Sequence, residues 1–185
     1  GAVTQPWPAA QAAVRAEMVR VGASLFQRGY VHSTAGNISV KLNADEGSGF
    51  LITPTDACLG FLDPEQIAWV SEGGEQLAGA RASKTLQLHR RIYAAAPDAR
   101  CVLHTHSTHL VALTLQGVWR NTDILPPLTP YQLMKVGHVP LVPWRVPGDA
   151  AGRGSSFTSR RNVFSCGPVC GGKPQRMCFF APAGM

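Results

Sequence analysis

The sequence has no acidic residue after Asp149 and few charges anywhere: Asp, Glu, Lys and Arg make up 15% of its 185 residues. It also lacks any apolar run near the roughly 18 residues that a membrane span needs, so no transmembrane segment is expected. No basic stretch leading into an apolar core opens the chain, so no secretory signal is expected either. Cysteine is sparse, and its count of five is odd. Cys58 and Cys101 sit in apolar surroundings while Cys166, Cys170 and Cys178 crowd the C-terminal end. That usage argues against a disulfide framework and for a reducing, cytoplasmic setting.

What is present is an apolar fraction of 45%, enough for one substantial core in a chain of this length. The net charge of +6 is misleading as a sign of nucleic-acid binding. Residues 1–150 carry twelve Lys/Arg against all eleven Asp/Glu, whereas residues 151–185 add five basic residues and no acid. The body is nearly neutral, the excess belongs to the tail, and no nucleic-acid partner is expected.

Val14, Met18, Val21 and Leu25 fall on one helical face, with Gly29 as a C-terminal stop. Ile38, Val40 and Leu42 alternate with polar residues as in a half-buried strand, and Phe50-Leu51-Ile52 reads as its hairpin return. Asp63-Pro64-Glu65 has the signals of a short helix start. Ser83 reads as the N-cap of a helix through Ala96 that carries Leu88 and Ile92 on one face. Cys101 to His106 reads as a strand and Ser107 to Leu115 as a helix. Leu125 to Pro130 reads as a rigid proline-rich loop, and Val139 to Pro143 as at most a short edge strand. Periodicity stops near residue 150. The pattern therefore predicts a mixed α and β domain over 1–150 and an irregular, basic Cys/Gly/Pro-rich tail over 151–185.

The densest chemistry lies in His104-Thr105-His106, with His109 three residues on. On a strand, residues i and i+2 share a face, so two imidazoles can converge on one cation of the zinc type. An isolated His-x-His is more often a pair of ordinary histidines at a strand end, and the pair alone decides little. Gly36-Asn37 lets backbone and amide donors approach a ligand closely. Thr55 adds a hydroxyl, Ser83 opens a helix whose N-terminus favours an anion, and Lys84 adds a full charge.

In order and spacing, the blocks Arg28-Gly29-Tyr30, Thr34 to Ser39, Ile52-Thr53-Pro54-Thr55, Ser83-Lys84 and His104 to His109 resemble the class II aldolase/adducin family over about residues 12–149. Three further blocks, Leu125 to Tyr131, Lys135 to Leu141 and Pro147-Gly148-Asp149, resemble its 3-oxo-tetronate 4-phosphate decarboxylase branch. The resemblance implies a three-layer α/β/α fold with a largely antiparallel central sheet. It implies a divalent metal, most often zinc, on His104, His106 and a third histidine near the C-terminus. It implies a substrate phosphate surrounded by Gly36, Asn37, Thr55, Ser83 and Lys84. It further implies a homotetramer with active sites between subunits.

Two departures shape the expected chemistry. The family commonly has Glu after the Ser-Ser or Ser-Lys pair as general acid/base, and this chain has Thr85. Aldol cleavage must deprotonate a hydroxyl, whereas loss of CO2 from a 3-oxo carboxylate needs no base, only stabilisation of the resulting charge and a proton donor. Thr85 thus weakens an aldolase reading and leaves a decarboxylase giving dihydroxyacetone phosphate and CO2, with Tyr131 as a candidate proton donor. Cys166 stands where the third histidine is expected, and the acid-free tail has the look of a reading-frame change. The alternatives are an aldolase acting on a phosphorylated sugar and a non-catalytic, adducin-like interaction module.

Overall fold

The computed structural model describes residues 6–135 and 137–141, and the backbone of 164–165 and 176–180. The first helix, α1 (Ala10–Gln27), forms over the predicted apolar face. It ends where expected, in a Schellman turn. The Tyr30 N–H donates to Leu25 O and the Gly29 N–H to Phe26 O, both at 3.0 Å, with Gly29 at φ +73°.

The central sheet is built from β1 (Asn37–Lys41), β2 (Phe50–Ile52), β3 (Ala68–Val70), β4 (Gln76–Ala78) and β5 (Ala99–His104). The helix α2 (Leu86–Ala95) precedes β5, and α3 (Thr108–Gln116) and α4 (Pro130–Lys135) follow it. Two strands from the tail, β6 (Phe164–Ser165) and β7 (Arg176–Phe180), complete a seven-stranded order β4-β3-β2-β1-β5-β7-β6. Every neighbouring pair is antiparallel except β5 with β7. The sheet is therefore largely antiparallel, as the resemblance implied.

Side-chain alternation separates two cores. Ile38, Leu51, Trp69 and Leu103 face α1, where Met18 packs with them. Phe50, Val70 and Val102 face α2 and meet Ile92 and Tyr93. Helices thus cover both sheet faces in three layers. Leu51, Ile52, Val70 and Val102 are fully buried, each worth about 1.5–3 kcal/mol of transfer free energy. No helix of the described residues is long and apolar enough to cross a membrane.

Four local expectations need correction. Asp63-Pro64-Glu65 makes a turn, not a helix. The Asp63 carboxylate accepts the Glu65 N–H at 2.9 Å, and the chain enters β3 three residues later, leaving no room for a second helical turn. Residues 139–141 form no strand; they hold a loop through Ile124 N–H to Val139 O and Leu141 N–H to Asn121 O, both 2.8 Å. The strand expected through His106 stops at His104. The tail was expected to be irregular, yet 164–165 and 176–180 pair into the sheet. Met177-Cys178-Phe179-Phe180 is a short continuous apolar run without alternation, a pattern that a search for period-two strands passes over. Cys166 and Cys170 lie outside the described residues.

Candidate active site

Asn37 opens β1 directly opposite His104 at the end of β5. Cross-strand partners share a sheet face, so their side chains meet: His104 Nδ1 lies 3.2 Å from Asn37 Oδ1. Ser39, two residues on, faces the same way. The helix packed there, α2, turns His89 and Tyr93 inward one turn apart. His89 Nε2 lies 2.5 Å from Asn37 Oδ1, and its Nδ1 lies 2.7 Å from Ser39 Oγ, which is 2.8 Å from the Tyr93 hydroxyl. Thr85 donates its hydroxyl to the same Asn37 oxygen at 2.9 Å. Three groups from two elements therefore converge on one buried amide oxygen.

That oxygen accepts only, which fixes the protons around it. His89 and His104 each present an N–H to Asn37 Oδ1. His89 Nδ1 then carries the lone pair that receives the Ser39 hydroxyl, and Ser39 Oγ accepts from Tyr93. Burial pushes His89 down to about 3, helped by the nearby His104 charge, so the ring is neutral at pH 7. The remaining polar face of Asn37, its NH2 group, is the part not committed to these three contacts.

The residues expected around a phosphate lie in the loops next to β1, β2 and α2. Gly36 sits at φ +86°, and a Cβ there would lie 2.7 Å from the His104 carbonyl oxygen. Only glycine lets this loop dock against β5. Ser83 lies two residues before the Thr85 N-cap, not at the N-cap as expected. The reason is visible: the Thr85 hydroxyl is drawn to Asn37, while Ser83 Oγ accepts the Thr85 N–H at 3.3 Å and lies 3.0 Å from Thr85 Oγ1. Thr55 is tied beside this turn by its N–H to Arg81 O at 2.9 Å, and the Ser83 N–H reaches Thr53 O at 3.3 Å. Lys84 is exposed in the same turn.

The His104 and His106 rings lie 5.1 Å apart between centroids, tilted by 32°. Although β5 ends at His104, the next residues keep the two rings together. Burial lowers His104 to about 4, with the His106 charge adding to it. Burial likewise lowers His106, and His32 contributes to the same shift. Tyr131, on α4, is 70% exposed and is not buried beside these rings. His109 is exposed on α3, and His138 instead pairs with Asp123 at 2.6 Å. Sequence reasoning missed Ser39, His89 and Tyr93. Their signal was the i, i+4 spacing of His89 and Tyr93 on the helix face carrying Ile92, opposite a strand with polar residues at 37 and 39.

The model of the Class II Aldolase and Adducin N-terminal domain matches residues 16–162. The chain belongs to the class II aldolase/adducin family. The match runs past Asp149, further into the tail than the sequence blocks alone reach. A 3-oxo-tetronate 4-phosphate decarboxylase of Cupriavidus necator is 58% identical over 138 residues, covering 75% of this chain and 62% of that protein. The namesake enzyme of Pectobacterium atrosepticum is 44% identical over 167 residues, covering 88% and 75%. The crystal structure of YgbL from Escherichia coli superposes with a TM-score of 0.75 at 38% identity, covering 84% of this chain and 74% of that one. The chain thus spans under two thirds of the Cupriavidus relative.

The class II aldolase site can be tested for a divalent cation from its donors. Asn37 Oδ1 claims the Nδ1 proton of His104, which leaves Nε2 as that ring's basic nitrogen. Both His104 and His106 have depressed pKa values, so both are neutral, ligand-competent imidazoles at pH 7. The pair fits two ligands of such a cation. Among the described residues no group of three or more His, Cys, Asp or Glu gathers, and Cys166 lies outside them.

Proposed function

We propose that this chain is the core of a metal-dependent carbon–carbon lyase that decarboxylates a 3-oxo-tetronate 4-phosphate to dihydroxyacetone phosphate and CO2. The observation that carries this reading is the Asn37 junction. The oxygen of one buried amide bonds both a candidate metal ligand, His104, and Thr85 of the turn before α2. The names of the Cupriavidus and Pectobacterium relatives support the same substrate class.

His104 and His106 would hold the cation, and two neutral imidazoles suit zinc. When bound, it supplies Lewis-acid stabilisation of the negative charge left by departing CO2. The chain's own residues do the rest. Gly36, Asn37, Thr55, Ser83 and Lys84 offer the donors and charge that would seat the phosphate and orient the carboxylate away from it. Thr85 Oγ1 is committed as a donor to Asn37 and a hydroxyl is a weak base, which suits a reaction that needs no base and disfavours aldol cleavage. Tyr131, exposed on one chain, would have to reach the site as donor from an assembled oligomer. A homotetramer, as the family resemblance implies, and a cytoplasmic setting belong to this reading.

The test is metal content and CO2 release together. The full chain is expected to bind close to one zinc or similar ion and to release CO2 from 3-oxo-tetronate 4-phosphate. His104→Ala and His106→Ala should each lose the metal and lower turnover by at least about a hundredfold. A folded chain that takes up no metal and turns over no substrate would instead identify an interaction module. Tyr131→Phe with unchanged turnover would remove that tyrosine from the mechanism.

A further inference from the structure

The buried pair that sequence reasoning missed, His89 and Tyr93, is joined to Asn37 by a chain of side-chain hydrogen bonds through Ser39. Tyr93 OH can donate to Ser39 Oγ, Ser39 to His89 Nδ1, and His89 Nε2–H to Asn37 Oδ1. Tyr93 and His89 are 4% and 0% exposed, and Ser39 is 0% exposed, so water cannot substitute for any member.

We propose that Tyr93, Ser39 and His89 are positioning residues that lock the Asn37 side-chain amide with its oxygen inward and its NH2 group toward the anion pocket. This rests on the phosphate reading given above. An amide has two nearly isosteric orientations, and the difference is chemical. Flipped, Asn37 would offer NH2 to His104 Nδ1 and an acceptor oxygen to the pocket. The first would move the His104 proton to Nε2, and the second would repel a phosphate. One internal hydrogen bond thus sets both the tautomer of the candidate metal ligand and the polarity of the anion pocket. Thr85 alone cannot enforce the orientation, since a hydroxyl can donate or accept. A neutral histidine can, because it has a single N–H: with the Ser39 hydroxyl donating to its Nδ1, its Nε2 can only donate to Asn37.

The experiment uses the metal-free 185-residue chain labelled with 15N, and inorganic phosphate as the probe. Two-bond 1H–15N spectra report each ring's tautomer directly. The wild type is expected to show His89 as Nε2–H and His104 as Nδ1–H. In His89→Leu, His104 should become a tautomer mixture and phosphate affinity should fall by about tenfold, the size of one charge-assisted hydrogen bond. His89→Gln, which returns an N–H donor near the Nε2 position, should recover most of that loss. In an Asn37→Ala background, His89→Leu should cost no further affinity. A wild-type His89 carrying its proton on Nδ1 overturns the proposal, as does an additive loss in the double variant. Asn37→Ala binding phosphate as tightly as the wild type overturns the phosphate reading as well, so the two failures separate. Should His89→Leu not fold, the wild-type tautomers and His89→Gln still decide.

Discussion

Gly36→Ala is the sharpest single perturbation of this site, because two separate costs can be read from the backbone. Gly36 lies at φ +86°, a left-handed conformation that costs an L residue about 1–2 kcal/mol. Its Cβ would also meet the His104 carbonyl oxygen at 2.7 Å. That oxygen belongs to the paired end of β5 and cannot rotate aside as a flexible side chain would. The loop must therefore lift off β5, adding about 1–3 kcal/mol by analogy with overpacking in a core. Gly29 supplies the control: φ is +73°, but nothing lies within 4 Å of its would-be Cβ. Gly29→Ala should cost only the conformational part, about 1–2 kcal/mol, and Gly36→Ala about 2–5 kcal/mol. Urea unfolding followed by circular dichroism measures both. For a domain of this size the melting shifts should be roughly 2–8 °C and 4–20 °C. The lift would also carry Asn37 away from His104, so phosphate binding should fall in Gly36→Ala and persist in Gly29→Ala. Equal destabilisation by the two substitutions would refute the docking of this loop against β5.

Acid should weaken the metal-free fold before carboxylates titrate. His89 and His104 have folded pKa values near 3 and 4, below the unfolded value near 6.5, so the unfolded chain binds more protons once pH falls below about 6.5. Unfolding free energy measured in EDTA should therefore drop steadily from pH 7 to 5, with a smaller slope in His89→Gln, and a flat profile over that range would contradict the neutral burial of both rings. Asp123 behaves in the opposite sense: burial alone would raise its pKa, but hydrogen bonds from His138 and from the Val139 and Leu125 N–H groups outweigh that and hold it below the usual range. Its contribution is complete above the ordinary carboxylate pKa and is lost as pH falls through the lowered one. Asp123→Asn should thus be less stable than the wild type at pH 7 and converge with it at strongly acid pH; a constant gap at every pH would rule out that linkage.

How much of this was legible in the sequence depends on whether the information was local. The hairpin of β1 and β2 was, because alternation and turn residues lie within the sixteen consecutive positions from Asn37 to Ile52. So was the end of α1, because Gly29 supplies the left-handed residue that its capping turn requires. The family blocks placed Asn37, Ser83 and His104 near one another, and direct contacts through Thr85 join them. The interior relay was not legible, for a physical reason. His89 at the middle of a helix and Ser39 at the middle of a strand look like a surface pair until β1 is known to run against β5 with α2 lying across both. Only that register turns Asn37, Ser39, His89 and Tyr93 inward together. A polar residue on an otherwise apolar face is ambiguous alone. Four of them on facing elements, each able to satisfy the next, explain why this core tolerates them. A buried amide with three donors on its oxygen has one low-energy orientation, and that orientation leaves its NH2 group to the pocket. The relay therefore converts burial, which ordinarily disfavours polar groups, into the direction of a single side chain at the centre of the site.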